Sequence, residues 1–164
     1  MTLDLKALFS QREKELPFSF SLDMSDIDFS GEKPFKQPVQ VEGKVESIAD
    51  TVCLSACCKA LYSAACHRCG EDCQREYIVK ISYVLVAELA GEEQDHIIEV
   101  PDMEIDLAEL CREAVILGMP TKHLCADSCK GLCETCGKNL NEGDCSCQKG
   151  TIDSRLEILK NLLD

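Results

Sequence analysis

Tryptophan is absent, and three Tyr and five Phe make up the whole aromatic complement of 164 residues. Aliphatic and small side chains must therefore fill the interior. No apolar run approaches the roughly 18 residues a transmembrane helix needs, so no membrane span is expected. The opening Met-Thr-Leu-Asp-Leu-Lys lacks a cationic stretch ahead of an apolar core, and no signal peptide is expected. Histidine is scarce, with three copies. His67 lies inside a Cys pair, His96 follows an acidic stretch and His123 precedes a Cys-rich one, and none is spaced for a catalytic zinc or a Cys/His nucleophile. A zinc deaminase would need His-x-Glu ahead of Pro-Cys-x-x-Cys, and neither string occurs; nor does a Gly-rich phosphate loop. The expectation is a protein that is not an enzyme.

Positive charge is also in deficit. Lys and Arg number 17 against 30 Asp and Glu, a net charge of −13. Residues 1–119 carry 11 basic and 23 acidic groups, whereas residues 120–164 carry 6 and 7. Such an acidic body repels phosphate backbones, which argues against DNA and leaves direct RNA contact open only for the near-neutral tail. A basic protein partner fits the charge better. The acidic run Glu92, Glu93 and Asp95 reads as a solvated loop.

Cysteine, by contrast, is abundant, at thirteen residues. The count is odd, and Cys-x-x-Cys and Cys-x-Cys close loops too short for ordinary structural disulfides. Those spacings suit tetrahedral thiolate ligation in a reducing, cytoplasmic setting.

Hydropathy patterning gives an α+β fold, a mainly antiparallel β body with one or two helices and a C-terminal zinc-binding Cys module. Period-two alternation predicts strands over 16–24, 39–46 and 77–86, with Lys80 and Ser82 on the polar face of the last, and a short strand over 96–100. Residues 1–9 fit strand or helix. Residues 52–66, rich in Cys, Ala and Leu, fit a helix by propensity or two short strands. A helix over 106–118 is capped by Asp106 with Glu109 three residues on, lines one face with Leu107, Leu110, Cys111, Ala114 and Leu117, and ends at Gly118 and Pro120. The organisation is an acidic body over 1–119, a Cys-rich module over 120–150, and a short amphipathic helix over 151–164 striped by Leu156, Leu159 and Leu163.

Within the module, Cys133-x-x-Cys136-Gly137 has the spacing of a zinc knuckle, two thiolates held about 2.3 Å from one ion. Almost no apolar residue is present to order this stretch without a metal. The knuckle needs two more ligands. Cys145 and Cys147 follow at a ribbon-like distance and are preferred; Cys125 and Cys129 are the alternates. Cys66-x-x-Cys69 offers half of a second zinc site, completed by Cys53, Cys57 or Cys73, or else a redox dithiol beside Arg68. Cys53, Cys57 and Cys58 also read as small core residues, and Cys111 as packing.

The string Cys129-Lys-Gly-Leu-Cys133-x-x-Cys136-Gly-x-Asn139-Leu-Asn141-x-x-x-Cys145-x-Cys147 resembles the C-terminal signature of the YceD family. Leu16-Pro-Phe-x-Phe, Val41-x-Gly43-x-Val45, Cys66-x-Arg68-Cys69 and Asp153-x-Arg155-Leu156 extend the resemblance upstream and downstream in the same order. Glu134 departs from it where many relatives have Pro, and the segment 53–58 is richer in Cys. The resemblance implies a cytoplasmic, non-enzymatic protein needed for accumulation of 23S ribosomal RNA, hence a large-subunit assembly factor. Its partner would be a basic ribosomal protein or a pre-large-subunit particle. The rival readings are a redox or iron–sulfur protein, and a zinc-ribbon adaptor unrelated to ribosomes.

Overall fold

Alternating burial builds the central sheet of the computed structural model, which describes residues 1–29, 31–88 and 95–147. In β2 (Glu15–Leu22) Phe18 and Leu22 point inward while Ser19 and Ser21 face solvent. In β3 (Val39–Ile48) Val39, Val41 and Val45 are buried. Both strands lie where the period-two pattern predicts them. A two-residue hairpin follows, with Ala49 and Asp50 at φ 46° and 65°, the left-handed pair whose twist matches that of the flanking strands.

The next strand overturns an expectation. Residues 52–66 form neither a helix nor two strands; residues 52–65 lie within one 15-residue strand, β4 (Thr51–Ala65), and Cys66 begins the connection that follows it. Val52, Leu54, Ala56, Cys58 and Ala60 turn inward, and Cys53, Ser55, Cys57 and Lys59 turn outward. Helix propensity of Ala and Leu is worth only tenths of a kcal/mol per residue. It loses to two long ladders, β3 on one side and β5 (Asp72–Val86) on the other. β5 begins five residues before its expected start, and Lys80 and Ser82 are exposed as predicted.

The sheet order is β2-β3-β4-β5-β6, with β6 (Ile97–Glu99) running parallel to β5 and the other pairs antiparallel. β2 is therefore an edge strand, and it carries Pro17 in its interior, opposite Lys44. Residues 1–9 form both alternatives in succession, β1 (Thr2–Asp4) and then α1 (Lys6–Phe9). β1 pairs antiparallel with β7 (Glu104–Asp106).

α2 (Leu107–Gly118) starts at Asp106, whose carboxylate accepts from the amides of Ala108 (2.9 Å) and Glu109 (3.4 Å). It buries Leu107, Cys111, Ala114 and Val115. Leu117, expected on that face, is 85 % exposed. At 3.6 residues per turn the buried arc centres near residue 118, and residue 117 falls about 100° away. Gly118 occupies that centre because a Cβ there would lie 2.9 Å from the Val79 methyls, so the helix sits close on the sheet. Tyr62 meets Phe35 and Tyr77 edge-on and His123 at a tilt toward the end of the sheet where β4 meets β5. The helix expected over 151–164 and the residues Glu92 and Glu93 lie outside the described residues.

Candidate metal centres

The connection from β4 to β5 is the knuckle Cys66-His67-Arg68-Cys69. It is folded on itself by Gly70 N–H to Cys66 O (2.9 Å) and Cys66 N–H to Glu71 O (2.9 Å), with Gly70 at φ +74°. Arriving from far along the chain, Cys125 and Cys129 close over it. Cys66 Sγ lies 3.8 Å from Cys129 Sγ, Cys69 Sγ lies 3.7 Å from Cys125 Sγ, and all four sulfurs fall within 4.8 Å of one another. Corners of a tetrahedron about 2.3 Å from its centre stand about 3.8 Å apart, so the set fits one zinc-sized ion. A disulfide, by contrast, would need about 2.05 Å.

This pairing differs from two of the alternatives that spacing left open. Cys125 and Cys129 do not join the tail knuckle, and Cys53, Cys57 and Cys73 do not complete the set at Cys66 and Cys69. Cys53 and Cys57 lie half-buried on the outward face of β4, and Cys58 is buried against Cys111. Cys73 turns instead to His123, with Sγ 3.1 Å from Nε2.

His123, missed by sequence reasoning, is what locks the incoming segment to the body. It is 1 % exposed, its Nδ1 meets Tyr77 Oη at 3.1 Å, and its carbonyl accepts from His67 N–H at 2.9 Å. No spacing rule marks it, since its partners lie 46 and 50 residues away. Arg68 adds a further brace, donating from Nη1 to Cys129 O at 2.9 Å. Arg75 donates to Leu124 O (3.3 Å) and to Asp127 (2.8 Å).

The second cluster is the tail itself. Cys133, Cys136, Cys145 and Cys147 bring their four sulfurs within 4.8 Å of one another. Gly137 at φ +72° turns the knuckle, with its N–H on Cys133 O (2.9 Å), and Cys133 N–H donates to Lys138 O (2.8 Å). Lys138 Nζ spans the loop to Asp144 O at 2.9 Å. This cluster is half-buried to exposed, whereas three of the four sulfur bearers in the other are buried.

Electrostatics prepare both sets for a cation. Burial pushes the Cys66 thiol up, but hydrogen bonds from the amides of Cys125, Arg68 and Cys69 and from the Cys69 thiol bring it down to about 5. Cys129 is lowered, chiefly by the Asn141 side chain. Amides of Cys136 and Thr135, with the thiols of Cys145 and Cys136, bring Cys133 to about 6. Their neighbours retain protons, with Cys125 pushed up to about 12 by Cys129 and Cys147 to about 12 by Cys136. Each cluster thus holds a ready thiolate beside thiols that only a metal would deprotonate. Four sulfurs fill a tetrahedral shell and leave no vertex for water or substrate.

Fold and site together define an α+β protein with two four-cysteine clusters. Residues 54–163 match the family described as large ribosomal RNA subunit accumulation protein YceD, and the chain belongs to that family. It is similar to the large ribosomal RNA subunit accumulation protein YCED homolog 1, chloroplastic, of Arabidopsis thaliana, 26 % identical over 79 % of this chain and 50 % of the relative. The protein of the same name from Zea mays is 25 % identical over 74 % of this chain and 52 % of the relative. An uncharacterized protein of Mycobacterium leprae is 28 % identical over 63 % and 49 %. The chain spans about half the length of the curated relatives it matches. No solved structure matches it. Among the described residues, no helix is long and apolar enough to cross a membrane.

Proposed function

We propose that this protein is a non-enzymatic factor for 23S ribosomal RNA accumulation, acting in large-subunit assembly through a basic protein partner. The observation that carries this is family membership over residues 54–163, joined to two closed four-sulfur clusters that brace the chain and offer no reactive vertex. Zinc is the ion whose tetrahedral sulfur chemistry the clusters fit. A multinuclear iron–sulfur cluster would spread its cysteines further apart than the 3.7–3.8 Å of the body set or the 4.8 Å that bounds the tail set, because its own sulfides and irons stand between them. Thirteen free cysteines suit a reducing compartment such as the cytoplasm.

Charge selects the partner. Each tetrathiolate zinc carries two negative charges, so two loaded sites take the chain from −13 to about −17. Metal makes the near-neutral tail acidic too, which disfavours naked RNA and DNA and favours a basic ribosomal protein on a pre-large-subunit particle. Binding to such a partner should weaken steeply between low and moderate ionic strength; salt-insensitive binding would remove the electrostatic account.

The decisive experiment depletes the protein in its own host and measures the ratio of large- to small-subunit ribosomal RNA. A selective fall in the large-subunit species is expected, and an unchanged ratio would sink the assembly reading. Metal analysis of anaerobically purified chain should give two zinc ions and a colourless solution. A brown solution absorbing in the visible would favour the iron–sulfur alternative.

A further inference from the structure

The two clusters are not independent modules. Only Lys130, Gly131 and Leu132 separate Cys129, a ligand of the body cluster, from Cys133, a ligand of the tail cluster. That connection is held from both sides. Leu132 N–H donates to Arg68 O (3.2 Å) in the body knuckle, and Leu140 N–H, from the tail loop, donates to Gly131 O (2.9 Å).

Asn141 makes the most direct link. It sits between Cys136 and Cys145, inside the loop that the tail cluster closes, yet its Nδ2 donates to Cys129 Sγ at 3.3 Å. Its Oδ1 accepts from Lys130 N–H at 2.8 Å, which fixes the amide so that the NH2 end faces the sulfur. Asn139 Oδ1 then accepts from both the backbone N–H (3.0 Å) and Nδ2 (2.9 Å) of Asn141, holding the side chain in place.

We infer that the two centres load cooperatively, with Asn141 as the positioning residue that couples them. The inference rests on the two-zinc reading above. A hydrogen bond to a metal-bound thiolate relieves charge on the sulfur and orients it, and losing such a partner typically costs 10–100-fold in metal affinity. The loop that presents Asn141 has almost no apolar content, so a tail metal would add much of its order to what these hydrogen bonds supply. When the tail is empty, the N–H···S bond must be bought with the entropy of ordering that loop, and the body cluster holds its ion less tightly. By linkage, an ion in the body cluster favours the tail cluster by the same factor, because it fixes Cys129 and Lys130 where Asn141 meets them.

Zinc affinity of the full chain, measured by competition with a chromophoric chelator, tests this, with Co2+ spectra reporting the sulfur coordination. Cys133→Ser/Cys136→Ser removes the tail site, and Asn141→Ala keeps both sites. In each variant the body-site affinity should fall about tenfold or more, and the two changes combined should cost no more than the first alone. An unchanged body-site affinity in either variant overturns the coupling, as does a full additive loss in the combination. A wild-type chain holding fewer than two ions overturns the two-zinc reading and this inference with it, whereas two ions with independent affinities overturn the coupling alone.

Discussion

The body cluster and the tail cluster each gather four cysteine sulfurs, but they are embedded differently. Around Cys66, Cys69, Cys125 and Cys129 stand a long hairpin, the buried His123 and the guanidiniums of Arg68 and Arg75 on backbone carbonyls. Around Cys133, Cys136, Cys145 and Cys147 stand a glycine turn, one lysine bridge, the Asn139–Asn141 bonds toward Cys129 and Lys130, and solvent. In the first case the metal would tie residues 125–129 to the sheet; in the second it would order a loop that otherwise has only hydrogen bonds and almost no apolar contact. Identical coordination chemistry would thus serve tertiary cohesion in one place and local order in the other.

Four predictions press on that difference. The largest effect should come from unequal cysteine substitutions. Cys66→Ser should cost about 3 kcal/mol or more, roughly 6–12 °C in Tm, while Cys133→Ser costs about half of that or less; calorimetry with zinc counting reads both. Equal losses would erase the distinction. Next, Gly43→Ala in the sheet should cost about 1–3 kcal/mol by urea denaturation without changing the zinc count. A Cβ at Gly43 would stand 2.5 Å from Ser55 O and 2.6 Å from Phe18 Cζ. A lost zinc in that variant would mean the metal centres depend on sheet packing.

Acidification gives the third. A depressed thiol contributes stability that is full above its ordinary value of 9.0 and is lost as the pH falls through its folded value. Those folded values are about 6 for Cys133 and about 5 for Cys66. Protons should therefore compete with zinc at both sites as the pH falls through this range, and the half-buried to exposed tail should release its ion before the buried body, as followed by a chelator dye. Body-first release would reverse the comparison. The smallest effect is expected from Lys138→Ala, which removes the exposed bridge to Asp144 O and should weaken tail zinc by about 1 kcal/mol or less in the same competition assay.

Local patterns carried much of this in the sequence itself. The alternation in β2 and β3, the capping Asp106 with Glu109 behind it, and the grouping of Cys133 and Cys136 with Cys145 and Cys147 all depend on residues close together in the chain. β4 was illegible because its Ala, Cys and Leu content favours a helix and only its two neighbours make it a strand. The body cluster was half legible. Cys66 and Cys69 announce a site by spacing, but their partners lie 56 and 63 residues on, and no spacing encodes that closure. His123 was hidden for the same reason, a burial made by three distant segments. Leu117 was misplaced because it stands at the far edge of an otherwise buried stripe, about 100° from the arc that Gly118 centres.

Pro17 has a consequence outside the metal chemistry. A proline lacks the N–H that a ladder needs, and within a sheet it is tolerated where its nitrogen faces away from the neighbouring strand. Among the described residues β2 pairs with β3 alone, so that side is the border of the sheet they form. A stray extended chain approaching there finds a missing donor and a ring in its path midway along the strand, so the border is closed to the strand-by-strand growth that begins aggregation.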